Sequence, residues 1–181
     1  MGVARAERPE QVADQQVADR RLYIGVVGSG HADEEECSVA EEVGVRLADA
    51  GAVLVCGGLS GVMEAACRGA RGRGGITVGI LPGSERSDAN AFVDVIIATG
   101  LGEARNAIVA ASSDALIAVG GAFGTLSEIA FALRAGKAVV GIGSWELARQ
   151  GMAVEGVVPA RRAAEAVSLA MRLARDRIRS R

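Results

Sequence analysis

The sequence predicts an α/β domain: a Rossmann-like, doubly wound, mostly parallel sheet of six to seven strands with helices on both faces. Three observations predict it. Short runs that are apolar throughout, such as Leu22–Val27 and Ala115–Val119, alternate with stretches of helical periodicity; strands buried on both faces read this way, and the alternation implies crossover helices. The aromatic residues are one Trp, one Tyr and three Phe, so the core must be built from Val, Ile, Leu and Ala. Twenty-five glycines follow no fixed period, which indicates many turns and close backbone approaches rather than a fibrous repeat.

The elements follow in order. Leu22–Val27 reads as a buried strand ending at Gly28-Ser29-Gly30. From Glu34 to Ala50, a stripe of Cys37, Ala40, Val43, Gly44, Leu47 and Ala48 predicts a helix, stopped by Gly51. Ala52–Cys56 is the second strand, and Gly57–Gly61 turns into a helix from Val62 to about Gly69. Ile76–Leu81 is a strand closed by Pro82-Gly83, and Val93–Ala98 another. A helix is expected over Glu103–Ser113, a strand over Ala115–Val119, a helix over Leu126–Ala135 and a strand over Ala138–Ile142. Val154–Val158 reads as a short strand and Pro159 as the opening of a last helix, to about Arg177. Residues 1–20 are polar with little periodicity and are expected to be a flexible tail; residues 21–181 form one domain.

Composition excludes several classes. The net charge is −2 and the pI about 5.5, which gives no support for a nucleic-acid or membrane surface. No apolar run approaches the ~20 residues of a membrane span and no secretory signal is evident, so a cytoplasmic location is expected. Arg172, Arg175, Arg177, Arg179 and Arg181 make either a basic contact patch or a solvated helix end, where cations suit the helix dipole. Cys37, Cys56 and Cys67 lack C-x-x-C spacing and read as reduced, mostly buried thiols. No metal-ligand spacing occurs, so no metal is expected and no cofactor is required. His31 is read as a loop residue rather than a ligand contact, and Trp145 as a packing or dimer anchor.

In a doubly wound sheet, ligands bind beyond the carboxyl ends of the strands. Three glycine-rich turns fall at that edge: Gly28–Gly30, Gly57–Gly61 and Gly120–Gly124. A helix N-terminus offers free N–H groups and a partial positive charge, and glycine lets a phosphate approach the backbone. Gly121 in particular is expected to leave the space that an anion needs. This suits a chain whose only lysine is Lys137. There is no Walker loop. The first turn is a poor dinucleotide fingerprint, because Asp33 stands where its third glycine belongs.

Thr125-Leu126-Ser127-Glu128 reads two ways. T-x-x-E ahead of an apolar helix is a capping box, in which Glu128 holds the N–H of Thr125. Alternatively Glu128 faces a ligand. Arg105, expected in the first turn of its helix where a cation opposes the dipole, calls for an anion: Glu128, a ligand phosphate, or both.

These residues resemble a known family. "GEARNAIVAASSDALIAVGGAFGTLSEI" is similar to the core of the LOG (lonely guy) superfamily, often labelled lysine-decarboxylase-like, which groups cytokinin-activating phosphoribohydrolases with molybdenum-cofactor carrier proteins. The pattern is Gly120, Gly121, Gly124, Thr125 and Glu128, with Arg105 upstream. "GGLSGVM" resembles an earlier family segment through Gly57, Gly58, Gly61 and Met63. Val119 stands where the hydrolases carry proline, and Asn106 where they carry lysine; both departures look more like the carrier branch.

The resemblance implies a Rossmann-like fold, a homodimer and a phosphate site. It puts that phosphate site on the Gly120–Thr125 loop; together with the three glycine-rich turns, the candidate ligand-binding residues are Gly28, Ser29, Gly30, Gly57, Gly58, Gly61, Met63, Arg105, Asn106, Gly120, Gly121, Gly124, Thr125 and Glu128. The implied ligand is a small phosphorylated molecule, the molybdenum cofactor or a nucleoside monophosphate, carried or sensed. If the protein is an enzyme, the implied reaction is hydrolysis of the N-glycosidic bond of a nucleoside 5′-monophosphate, with Glu128 and Arg105 catalytic. A carboxylate there would stabilise an oxocarbenium-like transition state. Lys137 sits at a strand entry, so lysine decarboxylation finds no support.

Overall fold

The structure is a computed structural model that describes residues 20–154 and 156–180. The tail expected over residues 1–20 lies, except for Arg20, outside the described residues. Strands β1 (Tyr23–Gly28), β2 (Val53–Cys56), β3 (Ile76–Leu81), β4 (Val95–Ala98), β5 (Ala115–Val119) and β6 (Ala138–Ile142) alternate with helices α1 (Glu34–Asp49), α2 (Val62–Gly72), α3 (Asn106–Ser112) and α4 (Phe123–Arg134). A short antiparallel hairpin, β7 (Ala148–Arg149) with β8 (Met152–Ala153), precedes β9 (Val157–Ala160) and α5 (Ala163–Arg179).

The main sheet has seven strands in the order β4-β3-β2-β1-β5-β6-β9, every neighbouring pair parallel. The chain winds outward from β1 in one direction, then returns to β5 and winds outward in the other. The point of reversal lies between β1 and β5, where a crevice opens at the carboxyl ends of the strands.

Period-two alternation feeds two cores. Ile24, Val26, Leu54, Cys56 and Ile117 face α1, α2 and α5, whereas Val27, Val53, Val55, Leu116 and Ala118 pack with Val109, Ile129 and Ala132 of α3 and α4. Small residues bring α1 and α2 together: a Cβ on Gly44 would strike the carbonyl of Ala66, and one on Gly69 the carbonyl of Glu41. The α3/α4 face is the thinner one and leaves the β3–β4 edge bare, with Val95 47%, Ile97 44% and Ile76 39% exposed. Among the described residues no helix is long and apolar enough to cross a membrane.

Several boundaries differ from expectation. Pro159 does not open a helix; it lies in β9, opposite Gly141 of β6. β9 is an edge strand, where a missing N–H is tolerated. The last helix starts at Ala163, and the strand expected over Val154–Val158 lies at Val157–Ala160. The helix expected from Glu103 begins as a 3₁₀ turn, Gly102–Arg105, and becomes α-helical only at Asn106. α4 begins at Phe123, three residues before Leu126. That shift changes the reading of Thr125.

Candidate functional site

The α4 turn is built on two glycines of positive φ. Gly120 has φ +53° and Gly121 φ +114°, conformations that side chains rarely adopt. A Cβ on Gly120 would strike the Glu36 carboxylate, and one on Gly121 would sit 2.6–2.9 Å from the Thr125 side chain. Both glycines are therefore required by the turn itself. The space expected at Gly121 is filled by Thr125, so Gly121→Val tests the turn rather than the ligand.

Gly124 is different. A Cβ there would have only Asn106 Nδ2 near it, at 4.0 Å, so its bare backbone faces open space. Among the candidate glycines Gly30 shares this property, with Ser60 Oγ at 3.7 Å the nearest atom to a built Cβ. Gly28 and Gly61 serve close packing between the β1 loop and the start of α2: their added Cβ atoms would meet Val62 and the Ser29 carbonyl respectively.

Thr125 is the third residue of α4, not its N-cap, so the capping box, one of the two readings of Thr125–Glu128, does not form. The N-cap is Ala122, whose side chain can cap nothing. Glu128 instead turns inward. It is 5% exposed and meets Arg105, itself 7% exposed, at 3.3 Å between Oε1 and Nη1. Arg105 Nη1 also donates to Asn106 Oδ1 at 2.6 Å, and Asn106 Nδ2 donates to Ser127 Oγ at 2.9 Å. The guanidinium lies over Gly57, where any Cβ would stand 2.6 Å from Nη2. Gly57 thus makes room for Arg105 rather than for a ligand.

The Arg105–Glu128 pair is incompletely satisfied. Arg105 Nε is buried without a hydrogen-bond partner. Burial pushes the Glu128 carboxyl up to about 7, with Arg105 pulling the other way. Near neutrality the site therefore holds a guanidinium beside a carboxyl that exchanges its proton readily.

These side chains converge on a groove of about 310 Å³ lined by Gly28, Ser29, Gly30, His31, Leu59, Met63, Pro82, Glu103, Arg105, Asn106, Ala122, Gly124, Thr125 and Glu128. Nine of the candidates lie on its wall. Gly57, Gly58, Gly61, Gly120 and Gly121 stand behind it. His31, read as a loop residue, is exposed on the wall. Leu59, Pro82 and Glu103 were not anticipated; Pro82 was visible only as the stop of a strand and Glu103 only as the start of a helix. A wider groove of about 610 Å³ lies between α1 and α5, by Arg46, Arg172 and Arg175. It is lined by the end of α1 and by one side of α5, and none of the glycine turns lines it.

Lys137 Nζ donates to the carbonyls of Ala110, Ala111 and Ser113 at 2.6–2.8 Å, which caps the end of α3. Trp145 packs against Phe123 with ring centroids 5.8 Å apart. Cys56 and Cys67 are buried thiols with sulfurs 3.5 Å apart.

The chain resembles solved structures over nearly its whole described length. It is 36% identical to the molybdenum cofactor binding protein of the phototrophic bacterium Rippkaea orientalis, with a TM-score of 0.77, covering 85% of this chain and 98% of that one. It is 38% identical to the Moco carrier protein of Chlamydomonas reinhardtii, with a TM-score of 0.75 and the same coverage. An uncharacterised protein of Archaeoglobus fulgidus is 51% identical over 121 residues, 67% of this chain and 80% of the relative. A family model, the SLOG cluster4 family, matches residues 21–168. The chain belongs to the SLOG cluster4 family, whose match spans the sheet, the glycine turns and the Arg105–Glu128 pair.

Proposed function

We propose that the groove binds a small phosphorylated ligand with a planar ring, the molybdenum cofactor or a nucleoside monophosphate, and that the protein carries it. The observation that supports this most is the uncapped start of α4. Its first turn has no acidic residue, its N-cap side chain is a methyl, and Gly124 leaves the backbone open to the groove. Free N–H groups at a helix N-terminus attract phosphate. The unpartnered Arg105 Nε adds a buried cation directly behind. The likeness to proteins described as molybdenum cofactor carriers favours that cofactor as cargo.

Mass spectrometry of ligand co-purified with the protein tests this: a pterin phosphate or a nucleotide is expected, and a protein that neither retains nor binds any phosphorylated ring compound would refute it. A second reading, hydrolysis of a nucleoside 5′-monophosphate, is favoured by Glu128, a buried carboxylate on the groove wall. Release of free base from AMP by the parent, abolished in Glu128→Gln, would establish that reading in place of carriage.

The assembly proposed is a homodimer through the α3/α4 face. Phe123 is 79% and Phe131 39% exposed on α4, on the same side of the sheet as the bare β3–β4 edge. Large apolar side chains left exposed on one face favour its use as an interface. Light scattering should give twice the 18.4 kDa chain mass; a monomer at micromolar concentration would refute the dimer.

A further inference from the structure

The groove changes character along its length. The strand order puts Ala122–Thr125, with the free helix amides, at its β5 end, and Pro82, with Leu59 and Glu103, toward its β3 end. The two carboxylates on the wall differ accordingly. Glu128 is buried against Arg105. Glu103 is exposed in the 3₁₀ turn just ahead of Arg105, and among the described residues no hydrogen bond or ion pair engages its carboxylate.

A carboxylate beside a bound phosphate would repel it. It suits the groove only if the far end of the ligand presents hydrogen-bond donors. An ionised carboxylate is an acceptor with two oxygens, matched by two parallel N–H groups. A 2-amino-4-oxopyrimidine edge, common to guanine and pterin rings, supplies that pair from the 2-amino group and the ring N–H between the amino and oxo carbons, N1–H in guanine and N3–H in pterin. Adenine sets a bare ring nitrogen beside its amino group, so one carboxylate oxygen would face a lone pair. A site built for one pattern rejects the other, because its polar groups go unpaired.

We propose that Glu103 is a specificity-determining residue that reads the 2-amino-4-oxo edge of the ring, with Leu59 and Pro82 against the ring and the phosphate at the start of α4. This rests on the proposed function and narrows its ligand to guanine- or pterin-type rings.

Calorimetry of the full chain with GMP, IMP, AMP and ribose 5-phosphate tests it. GMP should bind about tenfold or more tighter than AMP, with IMP, which lacks only the 2-amino group, between them. Glu103→Gln offers one donor and one acceptor, the complement of the adenine edge, and should invert the order in favour of AMP. A residue with a merely structural role would not reverse a preference. Equal affinity of the parent for GMP and AMP, or an unchanged ratio in Glu103→Gln, would overturn the assignment while ribose 5-phosphate binding leaves the phosphate site standing. If ribose 5-phosphate and all three nucleotides fail to bind, the phosphate site falls and the assignment with it.

Discussion

The helices α1 and α4 both start at the carboxyl edge of the sheet, and their N-termini are finished in opposite ways. At α1, Asp33 Oδ1 accepts from Glu36 N at 2.8 Å and Glu36 Oε2 accepts from Asp33 N at 3.3 Å, a complete capping box followed by Glu34, Glu35 and Glu36 in the first turn. At α4 the cap is Ala122 and the first turn holds no acid. One end satisfies its own amides and presents negative charge, which repels anions. The other leaves amides free and faces a groove backed by Arg105. Local stability was left unmade at α4, and an uncapped helix start beside a buried cation is more informative about function than any of the glycines.

The largest expected effect breaks the α4 turn itself. Gly121→Val puts a branched side chain at φ +114° against Thr125, and should destabilise the fold by ~3 kcal/mol or more, summing backbone strain and steric overlap. Chemical denaturation measures it; Gly30→Ala, which enters open space, should cost less than ~1 kcal/mol. A tolerated Gly121→Val would mean that the turn is not needed.

Next comes a transplant. Ala122→Asp gives α4 the cap that α1 has. It should raise stability by about 1 kcal/mol and weaken a phosphorylated ligand by about 100-fold, because the new carboxylate takes the amides and repels the anion. Unchanged affinity would place the phosphate elsewhere. Gly124→Val, where a built Cβ meets no steric conflict, should also weaken the ligand while leaving the fold intact.

The pH dependence is intermediate in size. Folding raises the Glu128 carboxyl to about 7 from 4.5, chiefly by burial. The folded state therefore holds the proton more tightly, and the stability linked to it is full below about pH 4.5 and is lost as pH rises to about 7. The shift corresponds to about 3 kcal/mol over that window. Glu128→Gln cannot ionise and should flatten this part of the profile. An anion bound near Glu128 should raise its pKa further, so binding should take up a proton and weaken as pH rises through 7. Calorimetry in buffers of different ionisation heat measures the uptake; a profile equally steep in Glu128→Gln would assign the titration to another group.

Much of this was legible beforehand. The order of strands and helices up to β6 followed from apolar runs and helical stripes, and the edge that carries the candidate groove followed from doubly wound topology. Arg105, a cation at a helix start, called for an anion, with Glu128 or a ligand phosphate as the candidates, and the structure supplies Glu128. What misled was T-x-x-E, since helix boundaries depend on where the preceding turn ends, and the left-handed Gly120–Gly121 turn lets α4 begin early enough to bury Thr125. A true capping box was present at Asp33–Glu36, where Asp33 had been noticed only as a missing glycine. Pro159 carried a helix-start signal, but pairing of β9 with β6 overrode it. Glu103 and Pro82 could not be found by pattern, because tertiary structure alone brings the end of β3 beside the turn before α3.

The smallest expected effect closes the comparison from the α1 side. Asp33→Ala removes the cap oxygen from the N–H of Glu36, and loss of such a cap costs ~1 kcal/mol. The two helix starts are not wholly separate, because the Glu36 carboxylate occupies the space that a side chain on Gly120 would need. The backbone N–H of residue 33, from which Glu36 Oε2 accepts, remains in this variant, so Glu36 can still lie against Gly120 and the α4 turn should keep its shape. The expected result is a modest fall in denaturation midpoint with ligand affinity changed less than about twofold. A matching loss of affinity would mean that the capping box of α1 supports the turn on which the free amides of α4 depend, and the contrast between a structural and a functional helix start would then become a coupling between them.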